Sequence, residues 1–204
     1  MLPSSTKTPQ ILLGLLFCLI VSGCGTTGGG GKNESRAKTS YPANAEARYQ
    51  SALSYIESGN DERATRELEN LRSTYPDYAG PLVNLGLIHA RNGRPDAAMV
   101  ALQRAVELCD SCATAYNELG ILQRQQGNFD AAEQAYRKSI SADPEYALAY
   151  YNLGVLYELY RGQPQMALEQ YERFMNVEPA GTDAGEQVGR WVTDLKRRIA
   201  RSAQ

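Results

Sequence analysis

Two stretches of this chain can be laid over one another almost residue for residue. The segments "AYNELGILQRQQGNFDAAEQAYRKSISADPEY" (115–146) and "AYYNLGVLYELYRGQPQMALEQYERFMNVEP" (149–179) match at an offset of about 34. A period of this size constrains the fold strongly, because each unit must be one supersecondary element that closes its core against its neighbours. Gly86, Gly120 and Gly154 fall 34 residues apart, and Ala52 holds the same place one period earlier. Small residues there let two helices approach closely. Ala64, Ala98, Ala132 and Ala167 recur in the same way, with a last spacing of 35. One helical turn later come Leu68, Leu102, Tyr136 and Tyr171, which are predicted to fill the core. Gly93 and Gly127 break the chain between paired helices, and Pro76, Pro144 and Pro179 stop the second helix of a pair.

The Leu-Gly pair of the first helix, the Ala-then-aromatic pair of the second and the closing Pro resemble the tetratricopeptide repeat. The resemblance covers roughly residues 45–179. It implies an all-α fold, a right-handed solenoid of about four helix-turn-helix units over 45–78, 79–112, 113–146 and 147–181. The chain departs from the pattern in three places. The first unit has Ser51-Ala52 for Leu-Gly, and the second has Asp110 where the closing Pro stands. The fourth carries one extra residue near "YRGQPQ" (160–165), so its inter-helix turn is expected to differ. Beyond the repeats, in 182–204, Val188, Trp191, Val192, Leu195 and Ile199 recur at spacings of three and four, one face of a helix. Acids at its start (Asp183, Glu186) and bases at its end (Lys196, Arg197, Arg198, Arg201) suit the helix dipole. This segment reads as a capping helix on the last repeat, with a basic end that either is simply solvated or touches lipid or a partner.

In the family, the first helices line a concave surface. Counting each unit from Ala45, Ala79, Ala113 and Ala147, the ninth residues are Leu53, Leu87, Ile121 and Val155, and the fifth are Tyr49, Val83, Asn117 and Tyr151. Around them lie Asn84, Arg91, Glu118, Arg124, Asn152 and Glu158. The resemblance implies a groove for an amphipathic helix or extended peptide with apolar anchors. The competing reading has the row buried between helices. The family's clamp for a C-terminal carboxylate uses Lys or Arg and Asn at set positions, and Tyr49 and Leu53 of the first unit do not match it.

The first residues, "MLPSSTKTPQILLGLLFCLIVSGC", have one cation, Lys7, an apolar run from Ile11 to Val21, then small residues. That is the layout of a secretory signal peptide. The run is 11 residues, well short of the about 20 needed to span a bilayer. Val21-Ser22-Gly23-Cys24 resembles a bacterial lipobox, which implies cleavage after residue 23 and acylation of Cys24. Gly25 stands where that family uses Asp to retain a protein in the inner membrane, which implies an outer-membrane anchor facing the periplasm. Residues 24–44 then comprise the lipidated Cys and a Gly, Ser and Thr-rich tether, which as a flexible coil spans roughly 25 Å r.m.s..

Enzymatic chemistry is hard to assemble from this chain. Its single histidine, His89, falls at a core position of the second unit, and acidic pairs such as Asp61-Glu62 sit in turns and look solvated. No G-x-S-x-G, H-E-x-x-H or framed phosphate loop occurs. The formal net charge of −2 argues against general nucleic-acid binding. The remaining chemistry is Cys109 and Cys112 in "ELCDSCATAY". Cys18 leaves with the signal and Cys24 carries lipid, so an even pair remains in a compartment that permits disulfides. We read a structural disulfide across the junction of the second and third units. Free thiols and a thiol-disulfide redox site stay open, and zinc would need two further ligands. The functional expectation is a non-enzymatic, membrane-anchored scaffold. It has no cofactor, metal, nucleic acid or small-molecule substrate, and binds a protein or peptide segment of an envelope complex. The layout is similar to pilotins of type IV pili; adaptors for outer-membrane protein insertion, cell-wall synthesis or energy coupling share it.

Overall fold

In a computed structural model, residues 42–178 and 181–202 are described, and their regular structure is all helical. The helices are α1 (Ala43–Glu57), α2 (Asp61–Thr74), α3 (Ala79–Arg91), α4 (Pro95–Leu108), α5 (Ala113–Gln125), α6 (Phe129–Ala142), α7 (Ala147–Val155), α8 (Pro164–Val177) and α9 (Asp183–Ser202). Between α7 and α8 the chain continues as a π-helical stretch, Leu156–Tyr160. Each odd helix packs against the even helix after it, each pair packs on the next, and α9 packs on α8. The architecture is a solenoid of four helical hairpins closed by a capping helix.

Local signals set the helix ends. Asn60 caps α2 by accepting from the Arg63 N–H at 3.2 Å. Pro95 and Pro164 open α4 and α8 at positions that need no N–H partner. The helix α1 begins two residues ahead of the expected boundary at 45. The Pro42 carbonyl accepts from both Ala45 and Glu46 at 2.8 and 2.9 Å, which draws Ala43 and Asn44 out of the tether. Pro179, expected to end α8, lies outside the described residues.

The core follows the repeat pattern. Leu68, Leu102 and Tyr136 are fully buried and Tyr171 is 1% exposed. Each packs on the small residue of its own first helix. At Gly120 the fit leaves no room for a side chain, since a Cβ there would lie 2.4 Å from Cε1 of Tyr136. Gly86 against Leu102 and Gly154 against Tyr171 repeat the arrangement. The helix α9 completes the last layer, with Val188, Val192 and Leu195 buried in one cluster with Tyr171 and Phe174.

The extra residue of the fourth unit is not in the inter-helix turn, where the sequence placed it. Gly162 has φ 62°, matching Gly93 at 68° and Gly127 at 81°, and as in the second unit one capping residue and a helix-opening Pro follow it. The insertion is instead absorbed upstream, where Arg161 N–H reaches back to the Leu156 carbonyl at 3.1 Å. The turn needs a residue with positive φ and a fixed helix entry, whereas a helix can widen by one residue locally. The turn therefore keeps its geometry and the helix takes up the slack.

Candidate functional site: an apolar row on the first helices

Of the first helices, α5 contacts both α3 and α7 directly. Along them, Leu53, Leu87, Ile121 and Val155 are each half-buried, as are Tyr49, Val83 and Tyr151. The row is thus neither sealed between helices nor fully open. Each side chain is held from below and presents an apolar edge.

The asparagines of this surface have a different role. Asn84, Asn117 and Asn152 are buried. Asn84 Nδ2 donates to Tyr49 Oη at 2.8 Å, and Asn152 Nδ2 donates to Asn117 Oδ1 at 3.0 Å. Both bonds join the sixth residue of one unit to the fifth of the unit before. The structure places these groups as ties between units rather than as contacts for a ligand. Burial pushes the Tyr49 phenol up to about 12, only partly offset by its bond from Asn84.

The charged members of the candidate site separate likewise. Arg91 forms an ion pair with Asp61, which also accepts from Asn92 Nδ2 at 2.8 Å. Asp61 is therefore an inter-unit anchor and not the solvated turn residue expected, because it is the first residue of α2 and faces the end of α3. Glu158 is paired with Arg198 of α9 and accepts from Tyr171 Oη at 3.0 Å. Arg124 lies over the Tyr160 ring at 5.6 Å, and Tyr160 packs on Phe129. The π-helical stretch positions Tyr160, so that contact had no signal in the repeat pattern. Of the basic end of α9, Lys196 reaches Glu172 at 2.7 Å, while Arg197 and Arg201 are exposed.

Glu118 differs from these. It is half-buried, with a hydrogen bond from Asn117 Nδ2 at 3.4 Å, and no cation lies within ion-pair distance among the described residues. Burial raises its carboxyl above the ordinary value, and the bond from Asn117 only partly opposes this. His89 is half-buried and lines a cleft together with Glu69 and Val100, and burial lowers its pKa. Among the described residues no group of His, Cys, Asp and Glu could hold a metal.

Cys109 caps the end of α4, Cys112 caps the start of α5, and a disulfide joins them with a Cα–Cα distance of 5.5 Å. So short a loop contributes about 2 kcal/mol in the chain-entropy view. Cys112 also lines a concave pocket of about 330 Å³ together with Tyr49, Val83, Asn84 and Tyr146. Cys24 lies outside the described residues.

Three models of the tetratricopeptide repeat match this chain, over residues 46–78, 77–145 and 117–174. The chain belongs to the tetratricopeptide-repeat family. Solved structures with similar repeats include Pseudomonas aeruginosa pilF, at 21% identity and TM-score 0.67 over 77% of this chain and 69% of that one. MamA matches at 23% identity and TM-score 0.56, over 74% of this chain and 96% of that one. YrrB, described as a TPR protein with an unusual peptide-binding site, matches at 26% identity and TM-score 0.55, over 67% of this chain and 70% of that one. No curated protein sequence matches the chain. These likenesses support a fold used for protein–protein interaction.

Proposed function

We propose that this protein is a lipid-anchored envelope scaffold that holds a segment of another envelope protein along its first helices. The observation that carries the reading is the row Leu53, Leu87, Ile121 and Val155, one half-buried apolar side chain per unit at a constant spacing of 34. Such a row suits a ligand that inserts apolar anchors along its length. The lipobox-like Val21-Ser22-Gly23-Cys24, with the tether after it, supports a position at the periplasmic side of the outer membrane. Within this class, assistance to a type IV pilus assembly is the specific role we favour, on the shared layout of anchor, tether and repeats and on the fold shared with pilF.

A photo-crosslinker in place of Leu87 or Ile121 should capture a discrete envelope partner in intact cells. One in place of Val100, which is 68% exposed on α4, should not. The double variant Leu87→Glu, Ile121→Glu should lose the partner by at least tenfold with unchanged helicity, since each carboxylate would have to be desolvated on binding. Identical capture from Leu87 and Val100, or full binding by the double variant, would refute the groove. Cys24→Ser should move the exported protein from the membrane fraction to the soluble fraction. Retention in the membrane would remove the lipid anchor from this reading.

A further inference from the structure

The pocket of about 330 Å³ has a one-sided charge. Among the described residues that line it, the one charged group is Asp143. Its remaining polar lining includes the phenols of Tyr49 and Tyr146 and the hydroxyl of Thr114, and Val83 and Ala113 give it an apolar wall. Glu118 stands one helical turn beyond Thr114 on the same face of α5. Its field reaches the Tyr146 phenol, which burial holds at about 12. Of the turns that border this edge, 109–112 and 143–146 contain Asp110, Asp143 and Glu145 and no lysine or arginine. Across the face, by contrast, Arg91 is paired with Asp61 and Arg124 lies on Tyr160. A half-buried carboxylate without a cation is costly in the free protein, and a ligand that brings the cation recovers that cost.

Resting on the groove reading above, we infer that this pocket receives a lysine or arginine side chain of the bound segment. The aliphatic stem lies along Val83 and Ala113, and the carboxylates of Asp143 and Glu118 draw the charged head. The shape and chemistry agree. A long basic side chain buries its methylenes on apolar surface while its head stays among polar groups, and two neutral phenol rings add cation–π attraction. The disulfide turn, through Cys112, forms part of the wall, so the pocket is built on a covalently closed loop.

The test is selection of a random twelve-residue peptide library on the purified full-length protein. Groove-dependent binders are those lost on Leu87→Glu, Ile121→Glu. We expect them to share a lysine or arginine at a constant offset from their apolar residues. Replacing that residue by glutamine should weaken binding about tenfold, the scale of one charge-assisted hydrogen bond. The double variant Glu118→Gln, Asp143→Asn should weaken the basic peptide similarly and leave the glutamine peptide unchanged. Groove-dependent binders with no basic position, or glutamine peptides that bind as tightly, overturn the proposal while leaving the groove intact. If no binder depends on Leu87 and Ile121, the groove reading falls and this proposal with it. The peptide substitution decides the matter even where the protein variant is destabilised.

Discussion

Replacing Gly120 by alanine should lower the thermal midpoint by roughly 10 °C. The added Cβ would lie 2.4 Å from Cε1, 2.6 Å from Cδ1 and 2.9 Å from Cζ of Tyr136. The struck group is the body of an aromatic ring that is fully buried, not the free end of a flexible chain. Overpacking of this kind costs about 1–3 kcal/mol, and a rigid ring places it at the upper end. For a chain of this size, each kcal/mol shifts the midpoint by about 2–4 °C. The first unit supplies the control. There Ala52 and Leu68 occupy the equivalent places and both are fully buried in one cluster. The double variant Gly120→Ala, Tyr136→Leu copies that pair, so its loss should be clearly smaller than the sum of the two single losses. Thermal unfolding followed by circular dichroism measures all three. A Gly120→Ala midpoint equal to wild type, or a double variant no better than additive, contradicts the close-approach account.

A second large effect is expected at the capping helix. Leu195 is fully buried and shares a cluster with Tyr171, Phe174 and Val192. Leu195→Asp would either bury an unpaired carboxylate or force α9 off α8. The first is strongly unfavourable, and the second bares Tyr171, Phe174 and Trp191. The cost should exceed about 4 kcal/mol, the range of core disruptions that introduce a buried charge. Because an uncapped repeat array exposes its inner face, the variant should also self-associate. Thr193→Asp, on the exposed side of the same helix, should be neutral. Urea unfolding with light scattering distinguishes them. A Leu195→Asp protein that is monomeric and as stable as Thr193→Asp would show that α9 does not cap the array.

Much of the fold was legible because its signals are local and repeated. The small residue at 86, 120 and 154, the bulky one at 102, 136 and 171 and the turn glycine at 93 and 127 each report one contact inside one hairpin. Recurrence in register then separates them from chance. The capping helix was legible for a similar reason, since an apolar stripe at spacings of three and four encodes one buried face.

The candidate site was legible only in part. The apolar row follows from the repeat register, and its half-buried state was left open between two readings. Arg91 and Glu158 looked like groove charges, yet Asp61 and Arg198, 30 and 40 residues away in sequence, take them up. No strict periodicity marks such pairs: Glu158 with Arg198 has no counterpart in the other units, and Arg91 with Asp61 recurs only out of register, as Arg161 with Asp130. The asparagine ties join neighbouring units, so which side of the surface they serve depends on how two hairpins dock. The π-helical stretch was missed because an inserted residue can be absorbed anywhere between two constrained points. Local energetics of the turn, not the alignment, chose the helix.

By itself the sequence determined what each hairpin is: two helices, a glycine turn with positive φ, and a small residue facing a large one. These depend on interactions within some twenty residues, and every unit restates them. The tertiary structure alone decided what lies between hairpins. It buried Asn117 and Asn152 as a tie, gave Asp61 to Arg91, and left Glu118 half-buried with no cation among the described residues in ion-pair reach, beside a pocket walled by Cys112 and Asp143. The physical reason is that charge pairing and desolvation depend on distance in space across units, which a repeating pattern of residue types does not carry.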